Sequence, residues 1–263
     1  MLYTYSDLQQ YWECPRKWAY GREWEVPPKS LDTAMFRGTL AHVAVQAYFK
    51  GADAKAAIAD RIITEIEYWT NGRPPTSALV EADRQTRKVS EQAFNLAAKY
   101  VRAYGGTVSV QDIEQELIDV DNPQLGGHRD AWGFSDDGKT KETVLIELKT
   151  GDYPDIEQLL ASGQHDFYAL LHNKLYEQPI TRIYLDVITP ELVTRVERPP
   201  QLERGMYLLE QLATAVEQAP TAIERPHYTW ACRRCEFFKA CRTRDGRGDD
   251  QVVLSQIAQR RLE

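Results

Sequence analysis

The sequence has no apolar stretch long enough to span a bilayer, and its first residues lack the basic flank and apolar run of a secretory signal. Internal repeats and low-complexity linkers are absent too. These absences exclude membrane-spanning and fibrous classes and predict a soluble protein of the reducing cytoplasm, with no membrane partner. With 43% apolar residues in a chain of 263, there is enough hydrophobic material for an ordinary globular core.

A surplus of positive charge is also missing, since the formal net charge is -7 at pH 7. This composition argues mildly against nucleic acid as a partner, because phosphate contacts require clustered lysine and arginine. The charge is nevertheless uneven, because residues 225–248 contain seven basic and two acidic residues. That segment is either a solvated tail or a local contact with nucleic acid.

Cysteine is scarce, with four residues in the chain: Cys14, Cys232, Cys235 and Cys241. In a reducing compartment, metal ligands or unligated thiols are more plausible than disulfides. The last three form a C-x2-C-x5-C motif, and the first lies 218 positions before it. Four thiolates suit a 4Fe-4S cluster or a tetrahedral zinc ion. One distant cysteine with a compact trio favours the cluster, because structural zinc more often binds two close pairs.

Hydrophobic periodicity predicts a chain that begins with helices and continues with strands. A short helix is expected before Cys14, with Ser6 and Gln9 as its capping box. Five further segments have apolar residues at helical spacing: 35–49, 58–69, 79–104, 156–176 and 202–219. Five segments are alternating and β-branched: 107–120, 127–134, 143–150, 180–189 and 192–198. This order predicts an α/β fold with a central mixed sheet flanked by helices.

Charged side chains are expected to converge beside a hairpin whose turn is predicted at Asp136-Asp137-Gly138. Glu147 and Lys149 lie two positions apart on one strand, so both project from the same face. Asp130 lies on the preceding strand, across the hairpin from that pair. Carboxylate oxygens are ligands that Mg²⁺ or Mn²⁺ prefers, and a lysine can orient water or stabilise charge growing on phosphorus. The arrangement predicts hydrolysis of phosphodiesters.

Each part of this motif is weak when taken alone. A Glu-x-Lys triplet is most often an ordinary surface pair on an edge strand. A histidine on an apolar helix, such as His42, is usually a core residue. Two further pairs at one-turn helical spacing strengthen the hypothesis, namely Gly38 with His42 and Gln164 with Tyr168.

Taken together and in chain order, these motifs resemble those of the RecB-like branch of the PD-(D/E)XK nucleases, in particular those of CRISPR-associated and phage-encoded iron–sulfur exonucleases. The resemblance runs from Cys14 to Cys241 and comprises G-x-x-x-H, G-x-x-D, E-L-K, Q-x-x-x-Y and the cysteine set. It implies a restriction-endonuclease-like core in a single domain over residues 1–263. It further implies that segments 1–24 and 221–263 are joined by a 4Fe-4S cluster.

The resemblance assigns a role to each motif residue. The implied ligands of Mg²⁺ or Mn²⁺ are His42, Asp130, Glu147 and the backbone carbonyl of Leu148. The implied catalytic group comprises Lys149, which assists the water, with Glu147, Asp130, Gln164 and Tyr168. The implied cluster ligands are Cys14, Cys232, Cys235 and Cys241. Glu116, on the strand before Asp130, is a further candidate carboxylate.

The implied activity is a metal-dependent DNA exonuclease that acts on single-stranded DNA or free ends, in CRISPR adaptation or in phage or bacterial recombination. Implied partners are DNA, protein subunits of those pathways, or further copies of the chain. Because the protein is acidic, the DNA path has to be local, along the basic tail with Arg16, Lys17, Arg22 and Arg37. Two alternatives stay open: a non-catalytic DNA-binding adaptor with this fold, and a zinc-stabilised interaction module.

Overall fold

A computed structural model describes most of the chain. The described residues are 2–24, 33–70, 77–136, 141–152, 155–227, 232–233, 235, 237–246 and 250–255. The chain forms two compact units, one of Leu31–Met206 and one of the terminal segments Met1–Ser30 and Tyr207–Glu263. Within the described ranges, no helix has both the length and the apolar character that crossing a membrane requires.

In chain order the helices are α1 (Tyr5–Glu13), α2 (Pro15–Trp24), α3 (Thr33–Phe49), α4 (Ala54–Thr70), α5 (Ser77–Tyr104), α6 (Ile156–Ser162), α7 (Gln164–Leu175), α8 (Leu202–Glu217), α9 (Ala219–Ala222) and α10 (Phe238–Asp245). The strands are β1 (Val108–Ile118), β2 (Gly126–Asp136), β3 (Lys141–Thr150), β4 (Arg182–Ile188) and β5 (Val193–Arg198). Three helices therefore precede three consecutive strands in the larger unit, as the periodicity predicts.

The strands form one mixed sheet with the order β1-β2-β3-β4-β5. Neighbouring strands are antiparallel except for β3 and β4, which are parallel. Parallel neighbours require a crossover connection, and α6 and α7 provide it. The predicted α/β architecture with a central mixed sheet is confirmed.

The middle of the sheet is buried on both faces, which explains the continuous apolar run in β3. Val144, Ile146 and Leu148 belong to a core cluster with residues of α3 and α5. Because side chains alternate along a strand, the intervening Glu147 and the following Lys149 project to the other face. The buried part of β3 therefore fixes the positions of Glu147 and Lys149 at the end of the strand.

Two local predictions are wrong. The first helix begins after Thr4, whose backbone N–H donates to the Asp7 carboxylate at 2.8 Å, so Ser6 and Gln9 are not its capping pair. The helix predicted over 156–176 is interrupted at Gly163, which has a φ of 76° and separates α6 from α7. Glycine adopts this left-handed conformation at little cost and commonly ends a helix there. The predicted turn at Asp137-Gly138 lies outside the described residues.

Candidate active site

Asp130 lies on β2, just beyond the last residue that pairs with β3, and its side chain connects these two strands. The last pair in that direction is Ala131 with Ile146, so Asp130 lies one step beyond it. Its Oδ2 accepts a hydrogen bond from the backbone N–H of Leu148 at 2.6 Å. Since this bond fixes the carboxylate to the neighbouring strand, Asp130 has a defined position relative to Glu147 and Lys149.

Lys149 joins the strand to helix α7. Its Nζ donates to Glu147 Oε1 at 2.7 Å and to Gln164 Oε1 at 3.1 Å. Gln164 Nε2 in turn donates to the hydroxyl of Tyr168 at 2.9 Å. The two predicted pairs, Glu147 with Lys149 and Gln164 with Tyr168, therefore form one continuous hydrogen-bonded chain.

Two motif glycines allow the helices to approach the sheet closely. A Cβ atom at Gly127 would lie 2.5 Å from Cε1 of Tyr168, well inside van der Waals contact. A Cβ atom at Gly38 would lie 2.5 Å from Oγ1 of Thr150. The glycines of the G-x-x-D and G-x-x-x-H motifs therefore leave room for α7 and α3, respectively.

His42 reaches the same carboxylate from helix α3. Its Nδ1 lies 3.2 Å from Asp130 Oδ1. Burial lowers the pKa of His42, but the negative charge of Asp130 outweighs this effect and raises the pKa above its ordinary value. Burial raises the pKa of Asp130, and the charge of His42 outweighs it and holds that pKa below its usual range. The two groups thus stabilise each other's charged forms.

Glu147 is almost fully buried, with 2% of its surface exposed. Burial raises the pKa of its carboxyl to about 7, against the opposing charge of Lys149. Its Oε2 has no hydrogen-bond donor in the described part of the chain. A buried carboxylate oxygen without a donor is costly, so this atom fits coordination to a cation.

Sequence reasoning missed Glu114 on β1. Ligand atoms of His42, Glu114 and Asp130 all lie within 4.8 Å of one another. Burial and the charge of Asp130 raise the pKa of Glu114. Glu116, the candidate from the sequence, is exposed like Glu114 but does not belong to this group, and it has an oxygen 3.7 Å from Nε2 of His128. The two glutamates are two positions apart on one strand and project from the same face. The sequence therefore predicts a carboxylate on that face of β1, but it does not say which of the two joins the site.

Comparison with known proteins agrees with this geometry. A family profile described as the PD-(D/E)XK nuclease superfamily matches residues 3–242. The chain belongs to this superfamily. A search of curated proteins finds no match. The solved structure titled "Crystal structure of SSO0001" is similar, with 18% identity and a TM-score of 0.34, over 59% of this chain and 71% of that chain.

Membership of the PD-(D/E)XK superfamily indicates a metal-dependent nuclease, and the structure places the motif residues accordingly. It brings together seven of the residues singled out from the sequence: His42, Asp130, Glu147, Leu148, Lys149, Gln164 and Tyr168. Three carboxylates, of Glu114, Asp130 and Glu147, accompany one imidazole and one ammonium group. Oxygen-rich sets of this kind suit Mg²⁺ or Mn²⁺.

The four cysteines of this PD-(D/E)XK protein lie in the terminal unit, and all of them line one small cavity. They belong to the described residues, and no disulfide joins any of them. The backbone N–H of Lys17 donates to Cys14 Sγ at 3.5 Å, and Arg16 donates to Cys241 Sγ at 3.2 Å. Donors directed at sulfur stabilise thiolates, so this cavity fits a thiolate-bound metal group.

The cations expected to contact DNA are already engaged with carboxylates. Ion pairs of 2.6–2.9 Å join Arg16 to Asp245, Lys17 to Glu13, Arg22 to Asp7 and Arg37 to Asp152. The expectation for Arg16 is wrong, because its side chain is only 4% exposed. Burial lowers the pKa of Arg16, but its hydrogen bond to Asp245 helps to raise it overall. Arg16 therefore holds the terminal segments together.

Proposed function

We propose that the protein is a Mg²⁺- or Mn²⁺-dependent DNA exonuclease with a structural 4Fe-4S cluster. One observation carries the proposal: Lys149 contacts the buried carboxylate of Glu147 while Asp130 is held against the next backbone amide and His42. The arrangement provides both parts that phosphodiester hydrolysis requires, a cation site and an adjacent ammonium group.

The proposed cation ligands are His42, Asp130, Glu147 and the carbonyl of Leu148. A divalent ion held by these groups would supply Lewis acidity toward the phosphate. Glu147 orients Lys149 through the 2.7 Å contact, and Gln164 holds the amine from the helix side at 3.1 Å. An ammonium group fixed in this way stabilises the negative charge that develops on the phosphate oxygens.

A cationic cleft supports DNA as the substrate. Arg37, Lys99 and Arg102 line a cleft of about 430 Å³, together with the amides of Gln92 and Asn95. Its described lining includes no acidic residue, although the protein as a whole is acidic. Although Arg37 is paired with Asp152, Lys99 and Arg102 add positive charge that attracts a phosphate backbone locally despite an unfavourable net charge.

The cysteine set supports a bound metal group in the terminal unit, because all four cysteines line one cavity. Their sequence spacing, one distant cysteine with a compact trio, favours a cluster over a single zinc ion. The preference for DNA ends and the CRISPR or recombination role are supported by the motif resemblance.

The test is digestion by anaerobically purified protein with Mn²⁺, using end-labelled linear DNA and closed circular DNA. Wild type is expected to degrade the linear DNA and leave the circle intact. Glu147→Ala and Lys149→Ala are expected to abolish cutting, because each removes one end of the 2.7 Å contact. Glu116→Ala is the matched control, since this carboxylate lies outside the group of His42, Glu114 and Asp130, and the variant should retain wild-type activity.

Circular dichroism must show that the variants are folded. Full activity in either folded variant contradicts the assignment of the site. DNA binding by wild type without cutting, under any divalent ion, supports the adaptor instead. Zinc without iron in the anaerobic protein contradicts the cluster and leaves the nuclease assignment standing.

A further inference from the structure

We propose that Glu114 is a ligand of the divalent cation, binding it together with His42 and Asp130. The inference rests on the proposed nuclease function and adds a third carboxylate from β1, at the edge of the sheet. No motif in the sequence identifies Glu114, and the geometry around it carries the argument.

The three ligand atoms have the spacing that one ion requires. All of them lie within 4.8 Å of one another, and His42 Nδ1 and Asp130 Oδ1 are 3.2 Å apart. Ligands at about 2.1 Å from Mg²⁺ lie roughly 3 Å apart when adjacent and roughly 4.2 Å apart when opposite. The observed group can therefore close around a single cation with small side-chain movements.

The backbone at Glu114 has an unusual conformation. Its φ of 53° lies in the left-handed region, and it is the one described residue other than glycine with a positive φ. The flanking pairs Ile113 with Ala131 and Gln115 with Arg129 place it opposite Asp130. Left-handed residues other than glycine persist where the surroundings demand them and are concentrated at functional sites. Here the conformation accompanies a carboxylate directed toward Asp130.

Helix α3 also orients this carboxylate. Gln46, one turn after His42, donates a hydrogen bond from its side-chain amide to Glu114 Oε1. One helix therefore supplies both a ligand and the group that positions a second ligand. Such outer contacts restrict the rotation of a ligating carboxylate and are a regular feature of metal sites.

The local charge also favours a cation. Glu114, Asp130 and Glu147 place three carboxylates around one lysine and one histidine. Neighbouring carboxylates repel one another, and the burial of Glu147 strengthens the repulsion. A bound divalent cation offsets it. The chemical class of ligand is thus Mn²⁺ or Mg²⁺, with nitrogen from His42 and oxygen from the carboxylates.

The experiment compares Glu114→Gln with Glu116→Gln, its matched control on the same strand. Mn²⁺ binding is measured by calorimetry and by electron paramagnetic resonance of unbound Mn²⁺, and the Mn²⁺ concentration for half-maximal cutting is measured in parallel. Glu114→Gln is expected to weaken Mn²⁺ binding by about 10-fold or more and to raise the half-maximal concentration, while Glu116→Gln matches wild type. Wild-type Mn²⁺ affinity in Glu114→Gln overturns the proposal.

A second variant separates coordination from a structural role. Glu114→Gly removes the carboxylate and places at φ 53° the residue that tolerates it best. It is expected to unfold at the same or a higher temperature than wild type in EDTA, and still to lose Mn²⁺ affinity. Retained affinity in Glu114→Gly contradicts the proposal even if Glu114→Gln does not fold.

The outcomes distinguish this inference from the nuclease assignment. If wild type binds Mn²⁺ and cuts DNA while both Glu114 variants bind Mn²⁺ as tightly, only the role of Glu114 is wrong. If wild type neither binds Mn²⁺ nor cuts DNA, the proposed function and the ligand role fail together.

Discussion

At the scale of residues, the buried charged groups described in the larger unit have charged or polar partners. Asp186 is fully buried and forms two 2.7 Å hydrogen bonds with Arg195 and one of 2.9 Å with the Tyr100 hydroxyl. Arg129 is also fully buried and contacts Gln115 and His172. Such pairing offsets the cost of removing charge from water. Glu147 is paired with Lys149 through Oε1, while its Oε2 has no hydrogen-bond partner in the described part of the chain, and the same holds for Nε of Arg129.

His172 should make stability sensitive to acid. Burial, with the nearby Arg129, lowers its pKa to about 4, whereas an unfolded histidine titrates near 6.5. The unfolded state therefore takes up a proton first on acidification, so the stabilising contribution is present above pH 6.5 and is lost as pH falls toward 4. Between pH 7.5 and pH 5 the loss from this one group is about 2 kcal/mol.

Urea unfolding of wild type and His172→Gln, without added metal, measures this contribution. The free energy of unfolding of wild type should fall more steeply between pH 7.5 and pH 5 than that of the variant. Identical pH dependence in the two proteins contradicts the assignment of a depressed pKa to His172, whatever the variant's stability at neutral pH.

At the scale of elements, the sequence predicts long periodic helices and buried strands well, because the spacing of apolar residues identifies the face of a helix or strand that packs against the core. The helices α3 and α5 and all five strands lie where periodicity places them, within a few residues. Periodicity does not predict the interruption at Gly163, because a glycine inside a periodic segment is also tolerated in a helix. The chain changes direction at Gly163 because α6 and α7 together connect the parallel strands β3 and β4.

The close approach of α7 to β2 depends on Gly127. Gly127→Ala places a methyl group 2.5 Å from the ring of Tyr168, so either the helix or the ring must move. We expect a loss of about 1–3 kcal/mol in stability, as for other overpacked sites. We also expect slower DNA cutting, because Tyr168 supports Gln164 and thereby Lys149.

Gly106→Ala is the control for this substitution, since nothing lies within 4 Å of the added methyl group. Chemical denaturation and rates of DNA cutting should match wild type for Gly106→Ala and fall for Gly127→Ala. Unchanged stability and unchanged activity in Gly127→Ala would show that the contact with Tyr168 does not constrain the site.

At the scale of the whole molecule, the chain closes its terminal unit from segments more than two hundred residues apart. Tyr20 donates to Asp250 at 2.7 Å and packs against Phe237, with ring centroids 5.6 Å apart. Cys14 reaches the same cavity as the C-terminal trio. Small units with few apolar residues commonly gain stability from a metal group, which supports a structural role for the cysteines.

If the proposed cluster is present, Cys235→Ser should remove it and destabilise the terminal unit by about several kcal/mol, because metal binding contributes directly to folding. Iron and sulfide analysis and visible absorption of anaerobic protein measure the cluster, and calorimetry measures the stability. Cys14→Ser is the second variant to measure. If Cys14 is a ligand of the same metal group, its loss should lower metal content and stability as much as the loss of Cys235. A brown, equally stable Cys14→Ser protein would show that the C-terminal trio binds its metal group without Cys14.

The sequence alone determined the motif residues and the faces on which they lie, because alternation along a strand and helical spacing are local properties. Local spacing is enough to pair Glu147 with Lys149 and Gln164 with Tyr168. The tertiary structure decided which carboxylate of β1 joins them. Glu114 and Glu116 share one pattern, and their positions opposite Asp130 and His128, respectively, separate them, together with the left-handed backbone at Glu114. Contacts between distant segments, which no local period encodes, also bury Arg16 beside Asp245.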